Sequence, residues 1–176
     1  YLSGDPSDPS LNCAFSVDGK RFIPEGEVVL RYRSDADSLL PLTRYIPTGV
    51  RLQDGTIRMY YSPQSGGIRS AISTDDGKTW VEEEGYRLES ATDPAAVILP
   101  DGRTGLFFVD LSAGSKGQKL MVAPSADGIT FHPEESEVVI ESDQKGVWIL
   151  DPDVHISADG NWNLFFSLIG TPGGAG

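Results

Sequence analysis

Short runs rich in β-branched and aromatic residues alternate along this chain with clusters of Asp, Gly, Ser and Pro. The spacing is roughly 8–12 residues, the rhythm of an all-β sandwich, barrel or propeller. No long segment sustains the i, i+3, i+4, i+7 apolar pattern of an amphipathic helix. The pattern predicts strands over residues 11–15 and 22–30, with a turn at 16–19 between them. Residues 31–43 are polar and irregular, with Asp35 and Asp37 in a surface loop. A unit then begins. Residues 48–52 form a first strand, and Gln53-Asp54-Gly55 is an Asp-Gly hairpin turn. Residues 57–61 and 68–73 are the second and third strands, and 80–88 the fourth. The next unit repeats the order, with strands over 95–99, 105–109, 119–124 and 131–140. A third begins with strands over 153–156 and 162–168 around Ala158-Asp159-Gly160.

The turns between third and fourth strands are themselves repeats. Ser73-Thr74-Asp75-Asp76-Gly77-Lys78-Thr79-Trp80 has shorter counterparts beginning at Ser16 and Ser125, each ending in an aromatic. In such a turn Ser and Asp oxygens accept bonds from turn amides, and Gly takes the positive-φ position. The opening serines lie 57 and 52 residues apart, and a period near 50 points to repeat architecture. Fourth strands also agree: Phe22-Ile23-Pro24-Glu25 and Phe131-His132-Pro133-Glu134 differ at one position. Four antiparallel strands in about 50 residues make one propeller blade. The predicted fold is therefore an all-β β-propeller segment of four-stranded antiparallel blades. Its divisions are a half blade at 1–40, blades at 44–90 and 91–142, and a half blade at 147–176, about three blades' worth of chain.

Composition narrows the partners. With 39% apolar and 23% charged residues, the 176-residue chain suits one globular domain with a sizeable core. A formal net charge of −12 repels nucleic acid and anionic lipid, and solubility is its plainer meaning. No apolar run approaches the 18 residues of a membrane span. Cys13 stands alone, so no internal disulfide forms. The two histidines, His132 and His155, join no Cys/His cluster, so neither a metal nor another cofactor is expected. There is no initiating Met and no signal peptide, so the chain reads as a fragment or a processed product. Propellers close with about four to eight blades. Three blades' worth therefore implies a homo-oligomer, such as a six-bladed ring of two chains, or completion by further chain.

The turn at 73–80 matches the Asp-box, or BNR repeat, and so resembles sialidase-like β-propellers. In that family these turns sit on blade edges, which makes Asp18, Asp75 and Asp127 structural. First strands line the central channel there. An Asp-Pro dipeptide opens two of them, in Thr92-Asp93-Pro94 and Leu150-Asp151-Pro152-Asp153. Pro biases the preceding Asp toward an extended conformation, which would aim the carboxylate into a channel. Asp and Pro also favour strand-opening turns, with no chemistry implied. Residues 91–168 further resemble the first blades of five-bladed arabinanase- and xylosidase-like hydrolases. Glycoside hydrolysis uses two carboxylates flanking the scissile bond. The resemblance implies Asp93 as general base and Asp151 as the residue tuning the acid, with the acidic Glu beyond Gly176. Sialidases grip a substrate carboxylate with arginines, whose forks match it bidentately. Arg44, near Ile46-Pro47, is similar to the first of these, and Arg58 and Arg69 are further cations of that blade. Each also reads simply as a strand-face arginine. Asp153 and His155 lie two apart and share one side of a strand. The aromatics Tyr60, Tyr61, Phe107, Phe108, Phe165 and Phe166 read as sheet packing. The implied function is a glycoside hydrolase-like protein acting on carbohydrate, sialidase- or furanosidase-like, in a secreted or periplasmic setting. The alternative is a non-catalytic propeller that binds glycans or proteins.

Overall fold

The computed structural model describes residues 2–3, 10–27, 30–31, 39–40, 44–63, 66–112, 118–142 and 147–170. Asp35 and Asp37 lie outside them. The fold is a partial β-propeller whose described residues form sheets that are antiparallel apart from one short parallel pair. Strands β1 (Leu2–Ser3), β2 (Ser10–Phe15) and β3 (Ile23–Glu27) make one small sheet. Strands β6 (Arg44–Arg51), β7 (Ile57–Pro63), β8 (Arg69–Ser73) and β9 (Trp80–Glu82) form a meander. β10 (Ala91–Ile98), β11 (Thr104–Asp110), β12 (Gln118–Ser125) and β13 (Glu137–Ser142) form the next. β14 (Trp148–Ile156) and β15 (Trp162–Ile169) pair as a final hairpin.

The structure corrects several boundaries. The return strand predicted over 22–30 is split into β3 and the separate β4 (Leu30–Arg31). β4 pairs in parallel with β9 and carries β5 (Leu39–Leu40) outside it, so the first full meander becomes a six-stranded sheet. The strand predicted over 80–88 ends at Glu82, after which only an isolated bridge joins Ile68 to Leu88. Gly85, at φ 81, bends the chain between them. The run 131–140 likewise opens with a 3₁₀ turn at Pro133–Glu135 before β13 begins.

The turns behave as their residues dictate. Asp75 Oδ1 accepts from the Thr79 amide and the Ser73 hydroxyl, both at 2.8 Å, while Oδ2 takes the Thr79 hydroxyl at 2.7 Å. Ser73 Oγ in turn accepts the Gly77 amide at 2.8 Å, with Gly77 at φ 85. The Trp80 indole donates to the Gly77 carbonyl at 2.9 Å, laying its ring over the turn. Asp127 and Ser125 build the same circuit with Gly128, Ile129 and Thr130, as do Asp18 and Ser16 with Gly19, Lys20 and Arg21.

Most of the core lies between neighbouring sheets, while a smaller cluster of Met59, Tyr61, Ala71 and Trp80 belongs to the β6–β9 sheet alone. β7 is buried along its centre and β11 along nearly all its length, β11 packing against the β6–β9 sheet on one face and β14 on the other. Val50, Tyr60, Ile68, Leu88, Ala91, Leu106, Phe108, Ala123 and Phe131 form one continuous cluster across the β6–β9 and β10–β13 sheets. Tyr60 meets Phe131 edge-on at 5.9 Å. The aromatics of β7 and β11 are thus packing residues, while Phe165 and Phe166 of β15 are exposed.

Candidate functional site

The first strands of successive sheets, β6, β10 and β14, lie side by side. The Ala96 amide of β10 donates to Thr48 Oγ1 of β6 at 3.2 Å. Each strand carries a bulge at the same place. Pairing jumps from Tyr45↔Ser62 to Thr48↔Tyr60, from Thr92↔Val109 to Ala95↔Phe107, and from Leu150↔Ser167 to Asp153↔Phe165. Every jump inserts one extra residue, which bends the strand and re-aims a side chain.

Asp93 and Asp151 occupy two of these bulges, both at φ 51. The expectation that Pro94 and Pro152 hold them extended is therefore overturned. Pro disfavours the right-handed helical region for its predecessor, but the bulge demands a left-handed residue, and Asp reaches that region more readily than most. Nor do the dipeptides precede the strands, since both lie inside them.

The two bulges touch. Asp93 Oδ2 accepts the Asp151 backbone amide at 3.3 Å, and Oδ1 accepts the Thr92 hydroxyl at 2.9 Å. The Asp93 amide donates to Ser62 Oγ, at the end of β7, at 3.2 Å. Asp93 is only 5% exposed, whereas Asp151 is exposed. Burial pushes the Asp93 carboxyl above its ordinary value; the Asp151 amide and Thr92 hydroxyl oppose this, and the Asp151 charge adds to it.

The remaining sequence candidates separate. Asp153 and His155 share one face of β14, as predicted, and pair at 3.0 Å with both side chains exposed. The His155 ring also meets Phe165 edge-on at 6.3 Å. Arg69, on β8, is engaged within its own sheet, 3.4 Å from Glu82 and over the Tyr86 ring at 5.4 Å. Arg44 opens β6, and its side chain lies outside the described residues. Ser62 and Thr92 escaped the sequence reading, since nothing distinguishes them from other strand hydroxyls until the bulges meet. Among the described residues, no group of three or more His, Cys, Asp or Glu could hold a metal.

No protein-family model matches the chain, and no curated protein sequence matches it. Solved structures do. An endo-1,4-β-xylanase from Bacteroides thetaiotaomicron shares 20% identity, with a TM-score of 0.65 over 98% of this chain and 64% of its own. An α-L-arabinofuranosidase from Clostridium thermocellum shares 15%, with a TM-score of 0.55 over 92% of this chain and 58% of its own. A thermostable family-43 glycoside hydrolase shares 14%, with a TM-score of 0.67 over 98% of this chain and 68% of its own. The chain thus spans about three-fifths of the first two structures, and at these identities the likeness establishes the fold: a partial β-propeller of the kind found in glycoside hydrolases.

Proposed function

We propose that the chain is a carbohydrate-active propeller of glycoside hydrolase type, with Asp93 as general base and Asp151 as the residue that tunes the acid. The observation carrying this reading is the contact between the two Asp-Pro bulges, where Asp93 accepts the Asp151 amide at 3.3 Å. Hydrolysis of a glycosidic bond uses a base and an acid, and in this reading Asp93 supplies the base while Asp151, on the neighbouring strand, tunes the acid. A base held above the ordinary carboxylate range is better matched to neutral pH than a free Asp. Xylosides and arabinofuranosides are the first substrates to test, given what the similar structures act on. Asp153, His155 and Arg44 are assigned to contacts with the sugar, and Arg69 to the wall of its own blade. The turns at 16–21, 73–80 and 125–131 are assigned to the Asp-box class. Closure into a ring requires a second copy or further chain, and mass in solution by light scattering reads which.

The test is hydrolysis of aryl xylosides and arabinofuranosides by the protein and its Asp93→Asn and Asp151→Asn variants. Loss of about 10²–10⁴-fold in kcat/KM on Asp93→Asn, the range of general acid–base catalysis, is expected. The acidic limb of the wild-type pH profile should lie above that of an ordinary Asp, because the base works only when deprotonated. Unchanged turnover in Asp93→Asn sinks the assignment.

The burial of Asp93 favours a second reading, a glycan-binding propeller without turnover. In it the Asp93 carboxylate serves only to tie β10 to β14. Binding of oligosaccharide without hydrolysis by the assembled protein would select it.

A further inference from the structure

Two hydroxyls meet Asp93 at its bulge. Ser62 belongs to β7 of the neighbouring sheet and is buried, while Thr92 precedes Asp93 in β10. The Asp93 amide donates to Ser62 Oγ at 3.2 Å. The Thr92 hydroxyl donates to Asp93 Oδ1 at 2.9 Å, and its oxygen lies 3.4 Å from Ser62 Oγ. A hydroxyl has one hydrogen to give and can accept besides. That of Thr92 is directed at Asp93 over the shorter distance, so the hydrogen between the two hydroxyls is that of Ser62. A closed circuit results, from the Asp93 amide to Ser62, from Ser62 to Thr92, and from Thr92 to the Asp93 carboxylate. Its links all point the same way round, and bonds in such a chain polarise one another. Because the circuit begins and ends on one residue, it fixes the carboxylate relative to its own backbone.

The next sheet handles the same position differently. Ser62 pairs with Tyr45 just before the β6 bulge, and the corresponding pair in the next sheet is Val109 with Thr92. Val109 has no hydroxyl to offer the bulge that follows. There the Asp151 amide goes to Asp93 Oδ2 instead, at 3.3 Å. One carboxylate oxygen is thus held from β14 and the other by Thr92, so rotation of the group breaks a bond at either end. Beyond the bulge Thr48 Oγ1, also of the neighbouring sheet, takes the Ala96 amide at 3.2 Å. Donors to an ionised carboxylate favour that form, against burial and the Asp151 charge. Of the charged groups on β6, β7, β11 and β14, the strands packed against β10, Asp151 is the one that bears on Asp93 among the described residues.

We propose that Ser62 and Thr92 are positioning residues for Asp93, their hydrogen-bond circuit aiming its carboxylate and favouring its ionised form. The catalytic consequence rests on the assignment of Asp93 as general base; the circuit itself does not.

The test is a carbon NMR titration of the full chain with labelled aspartate carboxyl carbons, the Asp93 signal being the one lost in Asp93→Asn. Thr92→Val should move the Asp93 midpoint upward, because burial and Asp151 then act with one fewer donor opposing them. Thr92→Ser keeps the hydroxyl and should restore the wild-type midpoint. Ser62→Ala should move it upward by less, since Thr92 still donates. Hydrolysis reads the consequence. In Thr92→Val, kcat should fall about tenfold, the value of a hydrogen bond to a charged group, with KM little changed. The acidic limb of its pH profile should move with the NMR midpoint. A merely structural Thr92 would lower the melting temperature and leave the Asp93 titration in place. An unmoved midpoint in folded Thr92→Val overturns the proposal, as does a shift that Thr92→Ser fails to reverse. If Thr92→Val does not fold, an unmoved midpoint in Ser62→Ala overturns it. Full turnover in Asp93→Asn removes the base assignment alone, and the titration still decides the circuit.

Discussion

Two of the seams between consecutive sheets are fastened differently. Between the β6–β9 and β10–β13 sheets, one continuous apolar cluster is accompanied by buried polar contacts. Arg58, near the start of β7, holds Glu83 and also donates to the Asp127 carbonyl at 2.6 Å. Tyr60 donates to the Gly128 carbonyl at 2.7 Å, and burial lifts its phenol to about 12, so it remains a neutral donor. Near the far end of β7, Ser62 takes the Asp93 amide. The seam against β14 and β15 consists of two smaller clusters, around Phe107 with Val154 and around Leu120 with Ile149. A polar contact across it runs from Asp93 to the Asp151 amide. Apolar contact is non-directional and sets only proximity. Hydrogen bonds carry direction, so the first seam is registered near both ends of β7, and the second is registered at the bulges.

The largest expected effect strikes the first seam. Arg58→Met strands Glu83 in a nearly buried site and should cost about 3–5 kcal/mol, read from urea midpoints. Val154→Ala in the second seam should cost about 1.5–3 kcal/mol, since only apolar burial is lost. Equal costs would erase the distinction between the seams. Next comes Gly128→Ala. Gly128 sits at φ 67, and an added Cβ would lie 2.5 Å from Arg58 Nη1 and 2.8 Å from Tyr60 Oη. Strain and overpacking together should cost about 2–4 kcal/mol. The control is Gly19→Ala, at φ 70 with nothing within 4 Å, which should cost only the backbone term of about 1–2 kcal/mol. Tyr60→Phe should cost about 1–2 kcal/mol, for a buried carbonyl left without its donor.

The smallest effect concerns a turn rather than a seam. Bonds from Thr79 hold the Asp75 carboxyl at about 2, below its ordinary 3.8. A depressed value stabilises the fold above the unfolded pKa, and that contribution fades as pH falls through the folded one. Wild type and Asp75→Asn should therefore differ in melting temperature at pH 6 and converge as pH drops from about 4 to about 2. A constant offset across that window would mean the turn gains nothing from the charge.

Much of this architecture is visible in the chain alone, and what is hidden has a common cause. The strand predicted over 57–61 is β7 with two residues added at its end, and the one over 105–109 is β11 with one added at each end. The Asp-Gly dipeptides at 54, 101 and 159 all mark hairpins, because turn chemistry is local. The pairing of β4 with β9 was not visible, since Leu30 and Arg31 carry no signal of a partner some 50 residues away. The positive φ of Asp93 and Asp151 was hidden too, because proline argues against it and only the bulge demands it. Arg58 and Arg69 look alike in sequence. Which carboxylate each meets is decided by the tertiary placement of Glu82 and Glu83.

The serine–aspartate turns also bear on the order in which the chain organises itself. The bond from the Gly77 amide to Ser73 closes over four residues, whereas Arg58 reaches Asp127 across 69. Local closures lose little chain entropy and form early; distant ones wait until the intervening chain is arranged. Each turn can therefore nucleate its hairpin as the chain emerges during synthesis, with docking between neighbours completed later. Weakening a turn should slow refolding, while weakening the Arg58 contact should chiefly hasten unfolding. The lifetime of the native state then resides in contacts between blades, and the speed of reaching it in the turns.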